Sequence, residues 1–285
     1  MFSVDPVANY HCQVGENPLW DDREGRLYWA DIDSGRLFRV DHASGEHECF
    51  HRNPDKIGGF TLQDDGSLLL FEVDRITQLG KDGQRRVIAE QIDSGMVRFN
   101  DVIADPEGRV FAGTIGKTDQ SGGLFRIDLD GSIETLWRGT GCANGMGFSP
   151  DQRQFYWTCS TTYAIYIADY QRETGVLSNR RVFHRAARDQ GIPDGMTVDR
   201  AGLVWSARWD GSAVLRLDAQ GEVSERVVLP ASRVSSVAFG GPALDTLYVT
   251  TAGGTWEGSA DHDGTLYRFR APVSGTVAFR SRVRL

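Results

Sequence analysis

Little in this sequence would take it to a membrane or a nucleic acid. No apolar run approaches the ~18–20 residues needed to cross a bilayer. The N-terminal MFSVDPVANYHC lacks the basic-then-apolar order of a secretory signal. A cytoplasmic location is therefore the expectation. Lys and Arg number 31 against 39 Asp and Glu, a formal charge of −8. That balance excludes a phosphate-backbone partner, which needs clustered cations. Cysteine is scarce. Cys12, Cys49, Cys142 and Cys159 are widely spread with no CxxC pair, so reduced thiols are expected. The six histidines, His11, His42, His47, His51, His184 and His262, show no HExxH or other close ligand spacing, which argues against a histidine zinc site. No GxSxG motif offers a serine nucleophile. Cys142 lies two residues from Asn144 but has no histidine nearby in sequence to serve as its base. Long amphipathic helical patterns are missing too.

A repeat is present instead. Six segments carry a short apolar strand, five of them directly after a Gly or Asp. They read GRLYWADI, GSLLLFEV, GRVFAGTI, RQFYWTCS, GLVWSARW and DTLYVTTA. Anchored on Leu27, Leu68, Val110, Phe155, Val204 and Leu247, they are spaced by 41, 42, 45, 49 and 43 residues. A further strand follows in five units: RLFRVD, GLFRID, AIYIADY, AVLRLD and TLYRFR. Turn sequences such as DDG, PEG, DLDG and DAQG separate them. A period in the forties, with β-branched and aromatic strands, predicts an all-β, six-bladed propeller. Six repeats fill residues 1–285 as one closed domain. A strand near Tyr10–Val14 is expected to pair with the last blade and close the ring, removing sheet edges.

The repeat also serves as a ruler. Ten or eleven residues before the anchors stand Glu16, Asn100, Asn144 and Asp194, in the contexts GENPLW, RFNDV, ANGMGFSPD and PDGMTVD. Equivalent phases of different blades face the same ring around the axis. These four oxygen-bearing side chains therefore predict a metal site in the central channel. Blade two offers Ile57 or Gly58 at this phase, and blade six Ser236 or Val237. Carboxylates and amides without thiolate or imidazole suit a hard divalent cation. Ca²⁺ is the first choice, Mg²⁺ or Mn²⁺ the next, with Zn²⁺ and Fe²⁺ as alternatives. Most of Trp20, Trp29, Trp157, Trp205 and Trp209 are expected to pack blade against blade. Trp209 and Trp256 are candidates to flank a ligand.

These motifs, together with RFNDVIADPEGRVFAGT, LSNRRVF and IPDGMTVDRAGLVW, resemble the gluconolactonase, regucalcin (senescence marker protein) and luciferin-regenerating enzyme family over essentially the whole chain. The resemblance implies a metal-dependent hydrolase that opens sugar (aldono-) lactones to sugar acids. It implies a divalent metal held by Glu16, Asn144 and Asp194, with Asn100 beside it contacting substrate. It implies that Arg98 holds sugar hydroxyls and that Asp194 doubles as general base. Where animal relatives carry acidic residues after a GTM segment, this chain reads GTIGKT. Lys117 is thus a substrate-binding candidate, and the sugar preference is left open. Other propeller hydrolases of the organophosphatase or arylesterase type, and a non-catalytic calcium-binding regulator, are the alternatives. The expected partner is a small-molecule sugar lactone, and the expected state a monomer.

Overall fold

The computed structural model describes residues 2–254 and 260–284. A short first strand, β1 (Asp5–Asn9), precedes the repeat. Blade one is β2 (Gly15–Asp21), β3 (Arg26–Asp31), β4 (Arg36–Asp41) and β5 (His47–Arg52). Blade two is β6 (Gly59–Leu62), β7 (Leu68–Phe71), β8 (Arg75–Leu79) and β9 (Arg85–Glu90). Blade three is β10 (Met96–Ala104), β11 (Val110–Gly116), β12 (Gly122–Ile127) and β13 (Ile133–Thr140). Blade four is β14 (Ala143–Phe148), β15 (Gln154–Cys159), β16 (Ala164–Gln171) and β17 (Val176–Arg185). Blade five is β18 (Ile192–Val198), β19 (Val204–Trp209), β20 (Ala213–Leu217) and β21 (Val223–Val228). Blade six takes β22 (Arg233–Gly240), β23 (Thr246–Ala252) and β24 (Thr265–Arg270), and its fourth strand is β1. All pairings within blades are antiparallel, and the six sheets make a six-bladed propeller.

The period of the sequence becomes the period of the blades for a simple reason. Each meander buries both faces against its neighbours, so its middle strands are mostly apolar on both faces. The anchor residues Leu27, Val110, Val204 and Leu247 are fully buried on the second strands. Trp29 and Trp205 are likewise buried among residues of adjoining blades. Trp20 and Trp157 are buried as well, whereas Trp209 is half-buried beside Arg233. Trp256 lies outside the described residues. The four cysteines are unpaired thiols.

Ring closure differs from expectation in place. The closing strand is Asp5–Asn9, in register Asp5↔Arg268 to Asn9↔Thr265. Residues 10–14 instead turn inward to blade one. On the way, Cys12 exchanges backbone hydrogen bonds with Gly264 and Gly253 of blade six, and Gly264 has φ +78° so that it can approach the Cys12 backbone. Closure at β1 covers the β24 edge with a strand from the other end of the chain.

After β24 the chain runs across the face away from the starts of the inner strands. Gly275 bridges Asp199 of blade five, and Ser281 bridges Gln63 of blade two. Arg280 binds Asp21 (2.5 Å) and Asp22 (3.0 Å) of blade one. This strap, with the inner strands, encloses a cavity of about 340 Å³. Leu19, Val102, Met146, Phe148, Phe239 and Phe279 give it a largely apolar wall.

Candidate functional site

The inner strands β2, β10, β14, β18 and β22 each break register near their starts. Shifts fall between Glu16 and Leu19, Phe99 and Val102, Asn144 and Met146, Pro193 and Met196, and Val234 and Ser236. A bulge inserts an unpaired residue and re-aims its side chain. Asn100 and Asp194 lie inside their bulges, whereas Glu16 and Asn144 keep their partners Ala30 and Thr158 and stand directly before theirs. Blade two has a regular β6–β7 ladder, and Ile57 there packs into an apolar cluster. Blade six contributes Ser236, whose side chain favours the ionised form of Glu16.

Two glycines allow the convergence. A Cβ on Gly145 would sit 2.4 Å from the Met196 nitrogen and 2.6 Å from the Asp194 carbonyl oxygen. A Cβ on Gly195 would sit 2.1 Å from the Ser236 Oγ. The glycines after Asn144 and Asp194 thus each let the next inner strand come close enough to share one small space.

Within it, Asn100 Nδ2 donates to Asn144 Oδ1 at 2.7 Å and to the Ala143 carbonyl at 2.8 Å. Asn144 Nδ2 donates to Ser160 Oγ at 2.9 Å, and Ser160 donates to the Pro193 carbonyl at 2.7 Å. That chain ties Asn144 to the strand of Asp194. Arg98 Nη1 donates to Asn100 Oδ1 at 2.5 Å and to the Phe99 carbonyl at 2.8 Å. Glu16 accepts from the Asn17 backbone N–H at 3.0 Å, while Asn17 Oδ1 accepts from Phe60 N–H at 2.5 Å.

Glu16, Asn100, Asn144 and Asp194 are only 5–6% exposed. Desolvation first, then the charge of Asp101, pushes Glu16 up to about 8. Desolvation pushes Asp101 up to about 7. Asp194 is raised well above the usual carboxylate range by burial, then by Glu16 and Asp101. Arg98 is the cation felt by Glu16 and Asp194 alike, and burial lowers its own pKa. Asp194 Oδ1 is buried without a hydrogen-bond partner among the described residues. Glu16 and Asp194 thus share one guanidinium, Asp101 adds a third buried carboxylate beside them, and one buried oxygen is left over among the described residues. Such an excess of buried negative charge is costly unless a cation joins it. Among the described residues no group of three His, Cys, Asp or Glu side chains is placed to hold a metal ion. The donor set that fits a hard cation here is mixed, two carboxylates with two amides.

Asp101 is the acidic neighbour that the repeat phase does not pick out. It lies inside the β10 bulge directly after Asn100 and lines the channel cavity. The only hint in the sequence was the doubled polar pair of RFND ahead of Val-Ile. Cys142 is half-buried, 3.6 Å from Asn144 Nδ2, with its thiol pushed up to about 12 by burial and then by Asp194. It is protonated and poorly nucleophilic at neutral pH. Lys117 is exposed on the turn after β11, where its backbone N–H binds the Gly95 carbonyl. The structure does not bring its side chain into the hydrogen-bonded cluster.

The chain belongs to the family described as SMP-30/Gluconolactonase/LRE-like region, whose model matches residues 14–253. It is 47% identical to the pentonolactonase XacC of Haloferax volcanii, with 99% of each chain covered. It is 36% identical to a 6-deoxy-6-sulfogluconolactonase of Pseudomonas putida over 84% of this chain and 83% of that one. A solved luciferin-regenerating enzyme superposes with a TM-score of 0.91 at 25% identity, covering 99% of this chain and all of the other. No described helix is long and apolar enough to cross a membrane.

Proposed function

We propose that this chain is a divalent-metal-dependent hydrolase opening sugar lactones to aldonic acids, with five-carbon lactones the first substrates to try. The pentonolactonase relative and its near-complete coverage support the substrate class. The observation that carries the site is the buried cluster of Glu16, Asn100, Asn144 and Asp194, with Asp194 Oδ1 lacking a hydrogen-bond partner among the described residues. Glu16, Asn144, Asp194 and Asn100 would hold the cation, Ca²⁺ first among candidates. When bound, it supplies Lewis-acid polarisation of the lactone carbonyl.

The chain's own residues do the rest. Arg98 lies beside Asn100 and presents a planar fork of N–H donors to sugar hydroxyls. Asn100 orients the substrate next to it. Asp194 takes a proton from the attacking water as its oxygen bonds to the carbonyl carbon. The ring C–O bond then breaks, and Asp194 returns the proton to the departing ring oxygen. A hydroxy acid results, with atoms and charge balanced.

The test is turnover of an aldonolactone panel by metal-stripped protein with single divalent ions restored. Metal-dependent hydrolysis with a sugar preference is expected. Turnover of phosphotriesters alone, or of nothing by folded and metal-loaded protein, overturns the reading. Replacing Arg98 by Met is expected to raise KM for the best lactone by roughly tenfold or more, as a charge-assisted hydrogen bond of about 1.5–3 kcal/mol is lost. Steady-state kinetics check this, and an unchanged KM removes Arg98 from substrate binding.

A further inference from the structure

Away from the channel, blade five holds a second unpaired charge. Arg208 lies on β19 and is 0% exposed. Its Nε, Nη1 and Nη2 all lack a hydrogen-bond partner among the described residues. On the same strand, Trp205 and Ala207 pack with residues of blade six, and Val204 packs with Ile165 and Tyr156 of blade four. Strand alternation therefore turns Arg208 toward blade four. His184 of β17 feels its charge there. The His184 Nδ1 is bonded to the Gly221 carbonyl at 2.7 Å, and its Nε2 is also buried without a partner among the described residues. The charge that acts on Arg208 is another cation, Arg226, and burial with that repulsion lowers the Arg208 pKa to about 9.

A guanidinium offers five N–H donors in a fixed plane and stays charged near neutrality. Buried charges in folded proteins are paired, because an isolated one is far costlier than a neutral polar group. Ordered water can satisfy N–H donors and the His184 lone pair, but it brings no charge. We propose that Arg208 is the core of a buried site, between blades four and five, for a small monovalent anion of the halide class. The anion neutralises the guanidinium and accepts its in-plane N–H bonds. Arg208 pairs across the ladder with Pro193, the residue before Asp194. The occupied site thus braces the strand that carries a candidate ligand of the channel, and it does not depend on what that channel hydrolyses.

Bromide is the probe, used on the full-length protein. Crystals grown in sodium bromide should show an anomalous peak within hydrogen-bonding reach of the Arg208 guanidinium. In solution, chloride or bromide should raise Tm saturably over sodium glutamate at equal ionic strength. The rise should be roughly 5 °C at a hundredfold excess over Kd. The Arg208→Met variant should lose that halide response and melt higher than wild type in glutamate. Water without anomalous signal at Arg208, or equal Tm in all salts, overturns the proposal. Should Arg208→Met fail to fold, the bromide signal in the wild-type crystal still decides it.

Discussion

Replacing Asp194 by Asn is expected to lower kcat for lactone hydrolysis by roughly 10³-fold, while the metal-free variant melts at a higher temperature than wild type. The two effects share one cause. Asp194 is buried, one of its oxygens has no hydrogen-bond partner among the described residues, and Glu16 and Asp101 oppose its ionisation. An amide of the same shape removes the buried charge. Each kcal/mol recovered raises Tm by about 2–4 °C in a chain somewhat shorter than this one. The same amide cannot accept a proton from water, and general-base catalysis is worth about 10²–10⁴-fold. Kinetics, calorimetry of metal binding and thermal melting of the variant separate the roles. Turnover near wild type removes Asp194 as the base. A lower Tm in metal-free protein shows that its carboxylate is stabilised in a way the buried geometry does not account for.

Metal-stripped protein is expected to lose stability as pH rises from about 4 to about 8, and a divalent cation is expected to reverse most of that loss. In the unfolded chain, Asp and Glu titrate near 4. In the folded metal-free chain Glu16 keeps its proton to about 8 and Asp101 to about 7, with Asp194 raised too. Below pH 4 both states are protonated, and these groups make no difference. Between 4 and 8 the unfolded state sheds protons that the folded state retains, so stability falls. Above about 8 Glu16 and Asp101 are ionised in both states, and their share of the fall ends. Cation binding favours the ionised carboxylates. The Tm gain on adding Ca²⁺ should therefore be larger at pH 8 than at pH 5. Scanning calorimetry of chelator-treated protein at both pH values, with and without the ion, checks this. A flat Tm in the metal-free protein, or an equal gain at both pH values, refutes it.

Much of this architecture was legible in the sequence because propeller geometry is periodic. A unit of about forty residues repeats, each middle strand is mostly apolar on both faces, and Leu27, Val110 and Val204 stand in step for that reason. The same periodicity aligned Glu16, Asn100, Asn144 and Asp194, since one phase of the repeat faces one level of the channel. The structure brings these four side chains together.

What repetition could not show is whatever departs from it or joins distant parts of the chain. The bulges that hold Asn100 and Asp194 and follow Glu16 and Asn144 are local insertions in the ladder, visible only once the partner strand is known. Asp101 enters the channel through such a bulge, one residue off the phase. Ring closure fell to Asp5–Asn9 because pairing with β24 depends on where two chain ends meet in space. Lys117 follows the strand and turn pattern in sequence, but the turn after β11 carries it into solvent. Arg208 sits in SARW with nothing in the sequence to single it out, and only the packing of blade four against blade five left its guanidinium buried with no hydrogen-bond partner among the described residues. Sequence by itself determined the blades, because the strand pattern and the repeat are local properties of the chain. The tertiary structure alone decided which charges share a dry space, because burial and counter-charge are properties of neighbours brought together by the fold.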